Sequence, residues 1–293
     1  MKVTVAIVTY NREHFMPAIY SVYARQTYPN TELLVLDDSE EPSKFFSQLD
    51  DPRVRYMHLP RRLSIGRKRN MLVEQAEGEW ICHFDDDDYY AENYVAQMLA
   101  HGREVDFVKL TGWFNLSVAT RSLTYWDTRS ADDLSYRQTG KGLVAARPEQ
   151  LDQSPLQRKS VLGYGFNYFY RKSTALAFPF EDVYCAEDYP MVDAFVRAGG
   201  TINLVNDQRG LVLHQLHASN TSSVSPQYRI PYFLLYQLFP GYAQYEQLLR
   251  QEQAPGAWPH ATTAAMAPQP RRRARPQLVQ PSPAHQQDTA ILS

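Results

Sequence analysis

Residues 80–88 read Trp-Ile-Cys-His-Phe-Asp-Asp-Asp-Asp, an apolar run that ends abruptly on four consecutive carboxylates. The run reads as a strand, and its charges fall at the strand's carboxyl end. The same change of character occurs twice upstream. Val3-Thr4-Val5-Ala6-Ile7-Val8 is apolar on nearly every residue and is followed by Thr9-Tyr10-Asn11. Leu33-Leu34-Val35-Leu36 stops at Asp37-Asp38-Ser39. Uninterrupted apolarity suits a central parallel strand covered on both faces, whereas an edge strand would alternate. Between these runs the spacing of Ala18, Ile19, Val22 and Tyr23 predicts a helix over roughly Met16 to Gln26, and Val54 to Leu59 is a further strand candidate. Ser64 is placed to cap a helix running to about Ala76, with Ile65, Met71, Leu72 and Gln75 on its inner side. Strand, helix, strand, strand, helix, strand is the pattern of a wound α/β sheet, with a mostly parallel sheet flanked by helices. Such sheets bind ligands outside the carboxyl ends of their strands, and here three polar strand ends converge on one rim.

Composition narrows the possibilities. With 293 residues, 44% of them hydrophobic, the chain can bury one large core. Its 30 Lys+Arg against 32 Asp+Glu give a formal charge of −2, which argues against a globally basic nucleic-acid binder and against an acidic disordered chain, so no nucleic-acid partner is expected. Two cysteines, Cys82 and Cys185, make no disulfide framework or zinc spacing, so a reducing compartment is the default. No stretch approaches the roughly 18 apolar residues of a membrane span. The run from Met1 to Thr9 is too short for a signal peptide. A soluble protein of the cytoplasm is expected, with room for peripheral contact at the inner face of the membrane.

Domain organisation follows from where these patterns hold. Residues 1–252 are expected to form the globular part, with 1–105 as a nucleotide-binding half and 106–252 as an acceptor-binding half. In the middle, Trp113 to Leu116 and Leu123 to Trp126 pair as a possible hairpin, ahead of a loop-rich stretch containing Gly140, Gly142, Pro148 and Pro155. Gly165 to Tyr170, Thr201 to Leu204 and Leu211 to His214 read as strands, and Tyr189 to Ala198 as a helix. The aromatic cluster Tyr232, Phe233, Leu234, Leu235, Leu238 and Phe239 reads as a helix closing the core, or as a surface helix resting on lipid. From 253 to 293, prolines punctuate a segment rich in Ala, Gln and Arg with no hydrophobic period, and this tail is expected to be disordered.

Four sets of residues invite chemistry. Adjacent carboxylates repel unless something positive sits among them, and a divalent cation with oxygen ligands, Mn2+ or Mg2+, meets that need; the alternative is a solvated acidic turn. Glu187-Asp188 opens a predicted helix, where carboxylates either cap the N-terminus or stand as a general base. Gly66-Arg67-Lys68-Arg69-Asn70, preceded by Arg61 and Arg62, is either a solvated helix face or a phosphate-binding cluster, and it is not a P-loop. His214 and His217 flank a polar segment and can supply a metal ligand.

Taken in order, Val8-Thr9-Tyr10-Asn11-Arg12, Leu36-Asp37-Asp38-Ser39, Gly66 to Asn70, Phe84 to Asp88, Ala186-Glu187-Asp188 and His217 to Ser222 resemble a family 2 glycosyltransferase of the GT-A fold. The resemblance spans roughly Met1 to Thr221 and is strongest up to Tyr94. It implies a metal-dependent, inverting transfer of a sugar from a nucleotide diphosphate sugar to a saccharide or lipid-linked acceptor, in polysaccharide or glycolipid assembly. By the same resemblance Thr9, Tyr10, Asn11 and Asp38 hold the nucleoside, Arg69 and Asn70 lie along the nucleotide, and Asp85 and Asp86 contact the ribose or donor sugar. Asp87 binds the metal, with His217 or His214 completing its shell, and Asp188, beside Glu187, is the base. The Asp-x-Asp pair can be registered at Asp85/Asp87 or at Asp86/Asp88, and the former follows the apolar strand directly. The loop-rich region from Trp113 to Ser160, with Tyr164 and Phe166 beyond it, is where acceptor selection is expected, since aromatic faces pack on sugar rings. Two alternatives compete: a sugar-phosphate nucleotidyltransferase, which would carry a Gly-rich loop where Thr9-Tyr10-Asn11-Arg12-Glu13 stands, and a non-catalytic module binding nucleotide sugars or divalent metal.

Overall fold

At the centre of the sheet, β1 (Val3–Thr9) lies between β2 (Thr31–Asp37) and β4 (Trp80–His83) and runs parallel to both. In a computed structural model, residues 1–129, 135–139, 142–146, 155–217, 220 and 228–252 are described, and they fall within one unit, Met1–Trp258. The expected tail, 253–293, lies outside the described residues, as do Gly140 and Pro148.

Connecting these strands are α1 (Met16–Ala24), α2 (Lys44–Gln48), β3 (Val54–His58) and α3 (Ile65–Gln75). Then follow β5 (Tyr89–Tyr90), α4 (Tyr94–His101), β6 (Phe107–Ser117), β7 (Ser122–Asp127), β8 (Ser135–Thr139) and β9 (Gly142–Ala146). The chain continues through α5 (Pro155–Leu162), β10 (Tyr168–Arg171), α6 (Lys172–Ala177), α7 (Asp188–Arg197), β11 (Ile202–Asn206) and β12 (Val212–Leu216). It closes with β13 (Tyr228–Ile230), α8 (Leu235–Leu238) and α9 (Tyr242–Glu252). The main sheet runs β13-β7-β6-β10-β4-β1-β2-β3, with β11 and β12 pairing with β6 and β5 with β12. From β4 to β3 every pairing is parallel, as the apolar runs predict; at β10 the direction reverses, and the complete sheet is mixed.

Alternate residues of the parallel strands feed two apolar layers. Val5, Ile7, Leu33 and Val35 join α1 and α9 through Ile19, Val22, Tyr245 and Leu249. Ala6, Leu34 and Leu36 face the other way, onto Leu72 and Val73 of α3 and Met191, Val192 and Phe195 of α7. Burying both faces explains why these strands read as continuous apolar runs. Removing such a side chain from water contributes about 1.5–3 kcal/mol each.

Several local expectations are corrected. Gly165–Asn167 is a 3-10 turn, and only from Tyr168 does the expected strand begin. The turn is forced where Tyr164 takes a left-handed φ of 70°. On α3, Gln75 is exposed and Met71 half-buried, while Lys68 and Arg69 turn inward. The expected hairpin forms as β6 and β7, with Trp113 opposite Trp126 and Leu116 opposite Leu123. In the aromatic segment, Leu235 and Phe239 reach the core whereas Phe233 stays 73% exposed, so this segment packs with one side alone. Cys82 is a buried free thiol and Cys185 an exposed one. No described helix is long and apolar enough to cross a membrane.

Candidate active site

The strand ends meet in a cleft of about 450 Å³, walled by the loop after β1, the N-terminal part of α3, the aspartates after β4 and the end of β12. Asn11 turns the chain out of β1 with φ 52°, a left-handed conformation that asparagine tolerates better than most residues. Its N–H donates to Ser39 Oγ at 2.6 Å and its Oδ1 accepts from Glu40 N at 3.3 Å, so the loops after β1 and β2 are tied together. Thr9 and Tyr10 line the cleft, and the Arg62 guanidinium lies 3.4 Å from the Tyr10 ring centre. Beneath them the fully buried Asp38 carboxylate accepts from Arg62 at 2.9 Å, Lys68 Nζ at 2.7 Å and Leu63 N at 2.7 Å. Lys68 Nζ also donates to the Thr9 carbonyl at 3.0 Å. Burial lowers the Lys68 pKa, and Asp38 opposes that shift. Asp38 is therefore a floor residue that positions cations, not part of the exposed wall.

The four aspartates face three ways. Asp85 is 35% exposed and lies 3.6 Å from Arg69 Nη2. Burial, with its acidic neighbours adding to it against Arg69, pushes its carboxyl up to about 8. Asp86 accepts from Arg12 at 2.7 Å. Asp87 accepts from Arg12 and, at 2.9 Å, from His217 Nε2. Burial would raise Asp87, but His217 and Arg12 outweigh it and hold the carboxyl down to about 2. Asp88 turns fully inward, accepting from His214 Nδ1 at 2.8 Å and Gln215 N at 2.9 Å. Asp85, Asp86 and Asp87 line the cleft, and Asp88 does not.

His214 lies on β12, stacked on Phe166 with ring centres 4.8 Å apart. Its Nε2 is buried without a hydrogen-bond partner among the described residues. Burial acts to lower its pKa, yet Asp88 and the other aspartates raise it to about 9. A carboxylate behind a histidine whose outer nitrogen is unpaired is the arrangement that orients metal-binding imidazoles. Asp85, Asp87 and Asp88 each offer an oxygen within 4.8 Å of the others. Hard carboxylate oxygens with an unpartnered buried imidazole nitrogen fit a divalent cation.

Glu187 and Asp188 arrive from α7 on the side of Arg69. Glu187 is buried, with Oε1 3.2 Å from Arg69 Nε, and burial raises its pKa. Asp188, the first residue of α7, is half-buried; its oxygens accept from Gly165 N and Tyr189 N, each at 2.7 Å. Gly165 packs between the two groups, since a β-carbon there would stand 2.7 Å from Arg69 Nη1 and 3.1 Å from Asp188 Cβ. Arg69 and Asp85 line the cleft, whereas Glu187 and Asp188 stand behind Arg69 and do not line it. Glu187 is committed to Arg69, which leaves Asp188 as the available carboxylate of the pair.

Asn70 departs from its expected place. Its amide donates to Phe180 O at 2.8 Å and accepts from Phe180 N at 2.9 Å, pinning the loop after α6, and it does not line the cleft. Phe166, expected near the acceptor, is 3% exposed and serves as the stacking floor of His214, while Tyr164 packs on Trp113 and Trp126. Residues 218, 219 and 221–227, part of the polar segment around His217, lie outside the described residues. Among the cleft residues with no individual role assigned from sequence are Arg12, His14, Lys68 and Tyr184. Arg12 and Lys68 stand inside motifs that drew attention, whereas nothing local marks Tyr184.

Residues 4–147 match the model for glycosyl transferase family 2. The chain is 29% identical over 107 residues to the putative colanic acid biosynthesis glycosyl transferase WcaA of Escherichia coli, covering 35% of this chain and 38% of that one. It is 30% identical over 100 residues to WfgD of Escherichia coli, a UDP-Glc:alpha-D-GlcNAc-diphosphoundecaprenol beta-1,3-glucosyltransferase, covering 33% and 40%. It thus spans less than half the length of these relatives. Among solved structures it is similar to Staphylococcus aureus TarS 1-349 in complex with UDP-GlcNAc, with a TM-score of 0.55 and 19% identity over 86% of this chain and 66% of that one. At that identity the likeness establishes the GT-A fold.

Proposed function

Residues 4–147 belong to glycosyl transferase family 2, and on that premise we propose that the chain transfers a sugar from a nucleotide diphosphate sugar to an acceptor hydroxyl with inversion. The observation that supports this reading is the meeting of Asp85, Asp86, Asp87, Arg69 and His214 at one cleft, with Glu187 paired to Arg69 and Asp188 beside Arg69 across Gly165, just behind the cleft wall. Tyr10 offers a ring face and Asn11 a backbone turn to the nucleoside, with Thr9 and the Asp38-anchored Arg62 and Lys68 beside them. Arg69, fixed by Glu187, supplies a fork of donors for the phosphates or donor sugar. Asp85 faces the donor sugar. Asp87 and His214 would hold a divalent cation, Mn2+ or Mg2+, with His217 competing for the place of His214. When bound, such a cation neutralises charge developing on the diphosphate leaving group.

Transfer is a single displacement. The acceptor oxygen attacks the anomeric carbon, the bond from that carbon to the diphosphate oxygen breaks with its electron pair, and the acceptor's proton passes to Asp188. Two backbone N–H groups fix the carboxylate's direction, which matters because a general base must lie within hydrogen-bond reach of the proton it removes. The relatives' names refer to colanic acid biosynthesis and to a diphosphoundecaprenol-linked sugar. By that likeness the acceptor is a saccharide or lipid-linked saccharide of a surface glycan, met at the cytoplasmic side of a membrane.

Asp188→Asn keeps the shape and removes the base, and it replaces one of the two oxygens that accept from backbone N–H groups by a donor. Turnover should fall about 100- to 10,000-fold with donor affinity within a few-fold of the parent. Unchanged turnover in a steady-state transfer assay would reassign the base and favour a binding module over an enzyme built on Asp188.

A further inference from the structure

The loop after β1 already places a cation among the aspartates. Arg12 Nη1 bridges Asp86 Oδ1, at 2.7 Å, and Asp87 Oδ2, and His217 Nε2 reaches the same Asp87 oxygen at 2.9 Å. The guanidinium is only 20% exposed and its carbon sits 5.9 Å from the Phe15 ring centre, so the side chain is packed in place. A divalent cation on Asp87 meets two obstacles here: the oxygen it needs is shared by two donors, and a full positive charge stands beside it. Asp85 has the Arg69 guanidinium 3.6 Å away, beyond hydrogen-bond distance, so its oxygens are less occupied than those of Asp87, and His214 Nε2 has no hydrogen-bond partner among the described residues.

We propose that Arg12 is a resident counter-cation that holds Asp86 and Asp87 closed to a metal ion until a diphosphate enters the cleft and takes the guanidinium as its own partner. This rests on the metal and donor reading given above and extends it to the order of binding. Arg12 lines the same cleft as Arg62, Lys68 and Arg69, so a diphosphate bound among those cations is within its surroundings. A guanidinium exchanges one pair of oxygens for another at small cost, because phosphate matches its planar fork as well as carboxylate does. Metal and diphosphate then assist each other: each removes the obstacle to the other, and the coupling is equal in both directions. Arg12 is a positioning residue in this account, acting through Asp87.

Mn2+ binding to the full chain, followed by titration calorimetry with free Mn2+ counted by electron paramagnetic resonance, tests the proposal. Without any phosphate ligand, Arg12→Gln should bind Mn2+ at least 10-fold more tightly than the parent. Adding inorganic pyrophosphate, corrected for its own chelation of Mn2+, should tighten the parent strongly and Arg12→Gln much less. Equal or weaker nucleotide-free Mn2+ binding by Arg12→Gln would overturn the proposal while leaving the metal site standing. If the Gln variant melts early, Arg12→Met, which keeps an apolar stem beside Phe15 and removes the charge, gives the same reading: Mn2+ should bind more tightly than to the parent, and parental affinity would overturn the inference. Failure of the parent to bind Mn2+ even with pyrophosphate would remove both the metal site and the inference.

Discussion

Lys109, the third residue of β6, has no solvent exposure, its Nζ donating to Leu110 O at 2.7 Å and lying 5.5 Å from the Trp113 ring centre. Burial lowers its pKa to about 7, with ionised Asp188 opposing the shift in part. An unfolded lysine keeps its proton to about pH 10.4, so between those values the unfolded chain binds more protons and stability rises with pH. Below about pH 7 the folded chain carries the buried ammonium and the full penalty is present. Lys109→Met should therefore stabilise the protein by about 3 kcal/mol at pH 6 and by almost nothing at pH 10. Chemical denaturation across that range measures it, and a gain independent of pH would contradict the buried-ammonium account. Nothing in the sequence marked Lys109, because a lone lysine in an irregular stretch reads as exposed. Lys68 and Arg69 were harder still: in a run of five cations, which ones turn inward depends on Asp38 and Glu187, residues remote in sequence.

At the scale of elements, α3 shows both what local sequence specifies and what it leaves open. Ser64 accepts from Arg67 N at 3.1 Å, the cap its position predicts. Gly66, the second residue of α3, carries no such signal, yet a β-carbon there would collide with the Glu181 carbonyl oxygen, and Gly66 N donates to Val183 O at 3.3 Å. The segment before Glu187 thus packs directly on the N-terminal turn of α3 and brings Tyr184 to the cleft. Gly66→Ala should destabilise the fold by about 1–3 kcal/mol through overpacking and weaken donor binding as that segment is displaced. A melting temperature and donor affinity equal to the parent's would show that the two elements are not in close contact. The same dependence on distant partners explains the turn at Gly165. Its six-residue stretch looks like a strand locally, but the glycine is held between Arg69 and Asp188.

Over the whole molecule, the parallel half was legible because strands buried on both faces have only one way to look. β1, β2 and β4 each lose almost all side-chain exposure, and their polar ends mark where burial stops. The second half was not, since β6 takes partners from β7, β10, β11 and β12 along its length and carries Lys109, Thr111 and Asn115 into the interior. No periodicity survives such mixed surroundings. Of the candidate site, the acidic end of β4 and the Glu187-Asp188 pair stood out by composition, and the structure joins them through Arg69. What composition did not reveal is the division of labour among neighbours: Asp88 behind His214, Glu187 behind Arg69, Asn70 on the Phe180 backbone.

The proposed function requires a nucleotide diphosphate and a divalent cation to share that cleft. Thermal unfolding of the parent and of Asp87→Ala, each with a panel of nucleotide diphosphate sugars in the presence and absence of Mn2+, addresses this directly. At least one donor should raise the parent's melting temperature by several degrees only when Mn2+ is present, with about 2.7 kcal/mol of stabilisation at a hundredfold excess over Kd, and Asp87→Ala should lose that shift. Melting curves unmoved by every donor, or an undiminished shift in Asp87→Ala, would contradict the account.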